Sequence, residues 1–321
     1  MQKILPQPFF YPNSFRNCRP NQAGQTMHIK TFKADALLLL TAAIWGFAFV
    51  AQRAGLDYVG PFTYNGVRFA LGGLSLMPLL TLKTNQRRVP GRKGWNIIYF
   101  GALAGIALFL GSSFQQVGLM YTTAGKAGFI TGLYVIIVPI LGLLWRDKAG
   151  KGVWLGAFLA VAGLYFLSVE GDFRVNFGDL LELVCALFFA IHVLIIGWLS
   201  PKFNAVRLSI IQFFTTSLLS FAVALLYEEI ILSDIIEAAI PIVYGGVFSA
   251  GVAYTLQVVA QKDAPSAHAA IILSLESVFA VLGGWLLLSE DVTLKILVGC
   301  GLMLGGMLSA QMERIRKGRA S

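Results

Sequence analysis

Glu276, Arg68 and His192 stand inside long apolar runs of the chain. A charge at the centre of a bilayer costs roughly 2.5–3.5 kcal/mol on insertion scales, so each implies a partner, a wet cavity or a task. Glu276 lies about eleven residues into its run, which is about 16 Å along a helix and near a bilayer midplane. A carboxyl there could take up and release a proton; the alternative is a paired or protonated group that only packs. Arg68 holds its charge, and its planar fork suits a carboxylate or a phosphate. A fixed ion pair, or a cluster of helix-end carbonyls, would serve it equally well. His192 could relay protons near neutral pH, or stand neutral and hydrogen-bonded within the packing.

Amides and aromatics extend this set. Gln115 and Gln257 each need a partner in hydrocarbon. Trp45 and Tyr134, with Tyr64, Tyr99, Phe114 and Tyr254, are of the kind that walls a ligand pocket. Glu182 falls one turn into its run and is expected to be solvated. His268 and Lys126 stand at matching entry turns, as interface anchors or gates. No metal or other cofactor is expected, because His28, His192 and His268 are scattered and Cys18, Cys185 and Cys300 are widely spaced. Neither HExxH, GxSxG nor a Walker-type phosphate loop occurs.

The elements that must position these residues follow from composition. Of 321 residues, 57% are hydrophobic and only 13% charged, with mean hydropathy +0.73. That is about half the charge of an ordinary globular domain, too little to cover a soluble surface. The chain reads as an all-α integral membrane protein, since uninterrupted apolar runs favour helices over barrel strands. Ten runs approach the roughly 20 residues that a span needs: about 35–53, 61–82, 95–118, 122–145, 152–169, 178–199, 207–227, 238–261, 265–288 and 293–311.

The net charge of +9 does not point to nucleic acid, because the bases fall in short loops. With the N-terminus cytoplasmic, only Arg53, Lys126, Arg174 and Lys295 lie on the far side, and Arg68 lies within a span. That bias predicts both termini in the cytoplasm, in a plasma (inner) membrane. Residues 1–33 read as a loose cytoplasmic leader, with Met27 as a second place to start translation, and 312–321 as a basic tail. Gly152-xxx-Gly156 and Gly301-xxx-Gly305 are expected to let helices approach closely, as scaffold or as a homodimer contact.

The halves 34–169 and 178–311 match in order. Asp35 answers to Asp179, Trp45 to Phe189, Ala48 to His192 and Gln115 to Gln257. Ala127 answers to Ala269, Tyr134 to Glu276, Asp147 to Glu290, and Gly156 and Gly163 to Gly299 and Gly306. Five spans per half is an odd number, so the second half would be inserted upside down. Such inverted repeats are typical of secondary transporters.

Ala43-Ile44-Trp45-Gly46-Phe47-Ala48-Phe49, followed by Gly66-Val67-Arg68-Phe69-Ala70, resembles the EamA group of the drug/metabolite transporter superfamily, as does Leu287-Leu288-Ser289-Glu290. The resemblance runs from about residue 35 to 311. It implies a ten-helix permease that moves small metabolites through a central cavity by alternating access. Asp147 stands where that group usually has glutamate, and Glu276-Ser277 stand where a proline is often found. The expectation is an efflux permease for a small organic metabolite, with the bilayer as surroundings and proton coupling through Glu276. A rival reading is a membrane-embedded enzyme acting on a lipid or lipid-linked substrate; a simple channel would leave the repeat unexplained.

Overall fold

The computed structural model describes residues 20–81, 96–122, 124–144, 150–168, 176–288 and 293–320. Asp147 and Glu290 lie outside them, as does the side chain of Lys126. Every regular element among the described residues is helical. The first half contains α1 (Pro20–Gly55), α2 (Pro61–Leu76), α3 (Ile97–Gly118), α4 (Ala124–Gly132), α5 (Tyr134–Leu144) and α6 (Lys151–Ser168). The second contains α7 (Phe177–Leu199), α8 (Ala205–Tyr227), the short α9 (Leu232–Glu237) and α10 (Ala239–Val243). A π-helical stretch (Tyr244–Tyr254) leads into α11 (Thr255–Ala260), followed by α12 (Ser266–Leu273), α13 (Glu276–Leu288) and α14 (Leu294–Ala320). Helix α1 begins at Pro20, within the stretch 1–33.

Six stretches are long and apolar enough to cross a bilayer: Lys30–Gly55, Ile97–Gly118, Phe177–Leu199, Ala205–Tyr227, Ala239–Ala260 and Ser266–Gly283. Ala127–Leu143, Lys151–Gly163 and Leu297–Ala310 are shorter apolar helices, and α2 has 16 residues. Their outward faces carry bare hydrocarbon: Phe158 is 71% exposed, Leu225 74% and Ile240 85%. The interior instead buries Thr41, Asn65, Gln116, Gln212 and Ser220. Apolar surface outside and hydrogen-bonding groups inside is the arrangement that lipid selects. The protein is a multi-pass integral membrane protein.

Two spans are broken. The chain leaves α4 at Gly132 and resumes as α5 at Tyr134; it leaves α12 at Leu273 and resumes as α13 at Glu276. At both sites tighter i→i+3 bonds carry the chain across, from Leu133 N–H to Ile130 O and from Leu275 N–H to Ile272 O. Ser277 Oγ also donates to Gly128 O at 3.0 Å, tying one broken span to the other. A third irregularity is the π-helical stretch. Its wider winding leaves carbonyls able to accept from neighbouring helices, and α1 uses two of them: Trp45 Nε1 donates to Ser249 O at 3.2 Å and Thr41 Oγ1 to Ala253 O at 3.2 Å.

Glycine decides the closest approaches. A Cβ on Gly46 would stand 2.6 Å from the Glu276 carbonyl oxygen, so this glycine lets α1 lie directly on the second break. In the α6–α14 pair, a Cβ on Gly156 would lie 2.7 Å from Gly306 O, and one on Gly163 would lie 2.5 Å from Gly299 O. Gly152 joins that contact, as expected. Gly301 and Gly305 do not, for nothing stands within 4 Å of a Cβ at either. Within the chain, the glycines at 299 and 306 make the close contact with α6, on another side of α14 from Gly301 and Gly305.

Candidate functional site

The helix breaks and the π-helical stretch meet around one cavity. Glu276, Arg68, Gln115, Gln257, Trp45, Tyr134 and His192, the candidates singled out from sequence, all line it. Each comes from a different reason of local folding. Tyr134 and Glu276 are the first residues after the two breaks. Trp45 is held by the Ser249 carbonyl, and Arg68 extends from α2 past Gly245, where a Cβ would stand 2.7 Å from the Oη of Tyr64, the residue that backs Arg68.

The polar contacts are specific. Tyr134 Oη donates to Glu276 Oε1 at 3.2 Å. His192 Nε2 pairs with Gln212 Oε1 at 2.9 Å, which satisfies one ring nitrogen within the protein. Gln257 Nε2 donates to Gln261 Oε1 at 3.0 Å, and Gln261 Nε2 donates to Val193 O. Trp45 and Tyr254 pack with ring centroids 4.5 Å apart, and His192 meets Tyr254 edge-on at 5.8 Å. Arg68 is 3% exposed, with its Cζ 4.8 Å from the Phe69 ring and 5.4 Å from that of Tyr64.

The space open to a water molecule's centre is only about 30 Å³, enough for a water or two. A metabolite could not enter or leave this arrangement without helix movement. The two ends of the bundle are tied differently. At one, His268 Nε2 lies 2.8 Å from Asp35 Oδ1, joining α12 to α1. At the other, Thr122 Oγ1 donates to Asp179 Oδ1 at 2.7 Å, and Asp179 with Asn176 closes a capping box on α7.

Some sequence expectations need revision. Glu182 is not solvated: it is fully buried, and its Oε2 accepts from Thr131 Oγ1 at 2.8 Å. It tucks against Gly118, so the end of α3 covers the face that a helix turn near a membrane surface would otherwise expose. Tyr99 is 67% exposed and stacks edge-on with Phe100. Phe114 stacks on Phe188. Tyr64 is buried, but bonds Pro241 O and backs Arg68 instead of lining the cavity. Sequence reading did not find Gln52, Thr131, Phe189 or Ser249, which also line it. Phe189 had a signal, as the counterpart of Trp45 in the other half. Ser249 had none, since its bond to Trp45 runs through a backbone carbonyl.

Residues 32–169 and, separately, 176–310 match the EamA-like transporter family. The chain belongs to that family. An uncharacterized transporter of Archaeoglobus fulgidus is 38% identical, over 88% of this chain and 87% of its own length. The uncharacterized transporter YoaV of Bacillus subtilis is 22% identical, over 84% of this chain and 94% of its own. A WAT1-related chloroplastic protein of Arabidopsis thaliana is 26% identical, over 85% of this chain and 68% of its own. One crystal structure shares the fold with TM-score 0.72 at 16% identity, covering 87% of this chain and 98% of the other. This EamA-family member is a membrane transporter and not an enzyme, which removes the lipid-enzyme reading.

Proposed function

We propose that this transporter is a secondary carrier that exports a small organic metabolite by alternating access across the plasma (inner) membrane, with Glu276 exchanging protons. Its ten spans form two inverted five-helix repeats, and both termini are cytoplasmic. The observation that carries the reading is the make-up of the cavity. Tyr134 and Glu276, which are hydrogen-bonded to each other, are 142 residues apart. The same interval separates Gln115 from Gln257 and Thr131 from Leu273, all of which line the cavity. Trp45 with Phe189 and Ala48 with His192, two further aligned pairs, line it too.

Helix packing supports the same symmetry. Gly156 abuts Gly306 and Gly163 abuts Gly299; replacing each glycine by its counterpart in the other half turns one contact into the other. Likewise α1 packs on α12 and α13 while α7 packs on α4 and α5, and α2 packs on α8. A pseudo-twofold axis through a midplane site is the geometry by which rocking one repeat on the other exposes that site to either side. The ties Asp35–His268 and Thr122–Asp179 then act as the two gates, and closure of both describes an occluded state.

Proteoliposomes test this directly. Solute accumulation driven by an imposed pH gradient is expected in the native protein, and Glu276→Gln is expected to abolish it while solute exchange without a gradient persists. Gradient-driven accumulation that survives in Glu276→Gln would remove Glu276 from coupling. Failure of every solute to move would remove the carrier reading.

A further inference from the structure

Arg68 is the feature that the proposed mechanism does not use. We infer that the cavity takes a small monocarboxylate with an apolar body and that Arg68 holds its carboxylate; this rests on the carrier reading above. Arg68 lines the cavity at 3% exposure, yet among the described residues it has no ion pair, and its Nε is buried without a hydrogen-bond partner.

The acids within and at the ends of the bundle are committed elsewhere. Glu276 accepts from Tyr134 and Glu182 from Thr131. Asp35 pairs with His268, the Asp179 carboxylate accepts from Asn176 N–H and Thr122 Oγ1, and Glu228 accepts from Phe62 N–H, Thr63 N–H and Thr63 Oγ1 at the start of α2. A buried cation lacking a counter-charge is costly, and breaking such a pair costs far more than never burying it. Phe69 and Tyr64 stabilise the guanidinium through their rings but leave its N–H groups without an anion. An oxyanion brought in by the cargo completes the site, because the guanidinium fork fits a planar carboxylate through two parallel hydrogen bonds.

The rest of the lining sets the remainder of the molecule. Trp45, Phe49, Phe189 and Tyr254 form apolar walls, with the amides of Gln52, Gln115 and Gln257 between them. That combination takes a flat apolar body with few polar groups. A phosphate ester carries nearly two negative charges at neutral pH, and the lining holds one arginine and no lysine. With Glu276 protonated, a single negative charge is what this site neutralises.

The test uses the full chain in lipid nanodiscs, with benzoate and phenylacetate as probes and benzamide and phenylacetamide as their uncharged counterparts. The acids are expected to raise the melting temperature and to bind in calorimetry, and the amides are not. Arg68→Lys, which keeps the charge and loses the fork, is expected to weaken acid binding by about tenfold. Arg68→Gln is expected to abolish it, while Arg53→Gln, at an exposed position, leaves it intact. Equal binding of acids and amides, no binding of either acid, or unchanged acid binding in Arg68→Lys would overturn the inference. Counterflow in proteoliposomes separates the two readings. Movement of a neutral or cationic solute but of neither acid sinks the monocarboxylate inference and leaves the carrier standing. Arg68-dependent acid binding without movement of any solute sinks the carrier and leaves the anion site.

Discussion

At Gly132 the first half of the chain interrupts a span and restarts it with Tyr134; at Leu273 the second half does the same and restarts with Glu276. The two breaks use the same tightened backbone bonds, and their first residues touch across the cavity. One presents a neutral phenol, the other a carboxyl. The same division recurs in other aligned positions. Ala48 in one half stands against His192 in the other, and the Asp35–His268 tie at one end of the bundle against the uncharged Thr122 at Asp179 on the other. Shared backbone geometry is thus compatible with chemistry concentrated on one side. In the proposed mechanism the two alike halves rock, and Glu276 alone holds the proton.

The largest expected effect tests the likeness of the halves. Gly156→Leu and Gly306→Leu each force side-chain atoms onto a backbone carbonyl of the partner helix, where overpacking has no flexible group to displace. Both should abolish monodisperse protein in detergent, to the same degree. Gly301→Leu and Gly305→Leu, facing open space, should leave yield and melting temperature unchanged. Unequal effects at 156 and 306 would break the symmetry.

Next comes the chemical asymmetry. Glu276→Gln should abolish gradient-driven uptake, a loss of about a hundredfold or more, in the range of a lost general acid–base group. The exchanged pair Tyr134→Glu with Glu276→Tyr moves the carboxyl to the other break, and should restore part of the uptake if the two breaks are interchangeable. A dead double variant that still folds would show that the breaks differ in more than the group they carry.

A smaller effect concerns the first turns of α2 and α8. Helix α8 is capped by its own Asn204, whereas α2 begins at Pro61 without a local side-chain cap and borrows the carboxylate of Glu228 from the end of α8. Glu228→Ala should cost about 2 kcal/mol, as loss of charge-assisted bonds at a helix start. Asn204→Ala should cost about 1 kcal/mol. Thermal unfolding of the two variants reads the difference. The smallest effect is expected for Tyr134→Phe, which removes one hydrogen bond worth about 1 kcal/mol. It should slow uptake only a few-fold and keep its pH dependence.

The class of the protein was legible without coordinates, because hydropathy and charge sum along the chain regardless of how it folds. The polar candidates were legible for the same reason: Glu276, Arg68 and His192 stand out wherever an apolar run contains them. Their common destination was not, since which way a side chain points depends on helical phase. Here that phase is reset by two breaks and by eleven residues of wider π-helical winding, none of which a regular 3.6-residue period anticipates. Glu182 was misplaced because burial near a helix end is decided by whether a neighbouring helix reaches that far, as α3 does at Gly118. The glycines of α14 teach the same: spacing locates a stripe of small residues, while only the neighbouring helix determines that Gly299 and Gly306 are the ones in contact with α6.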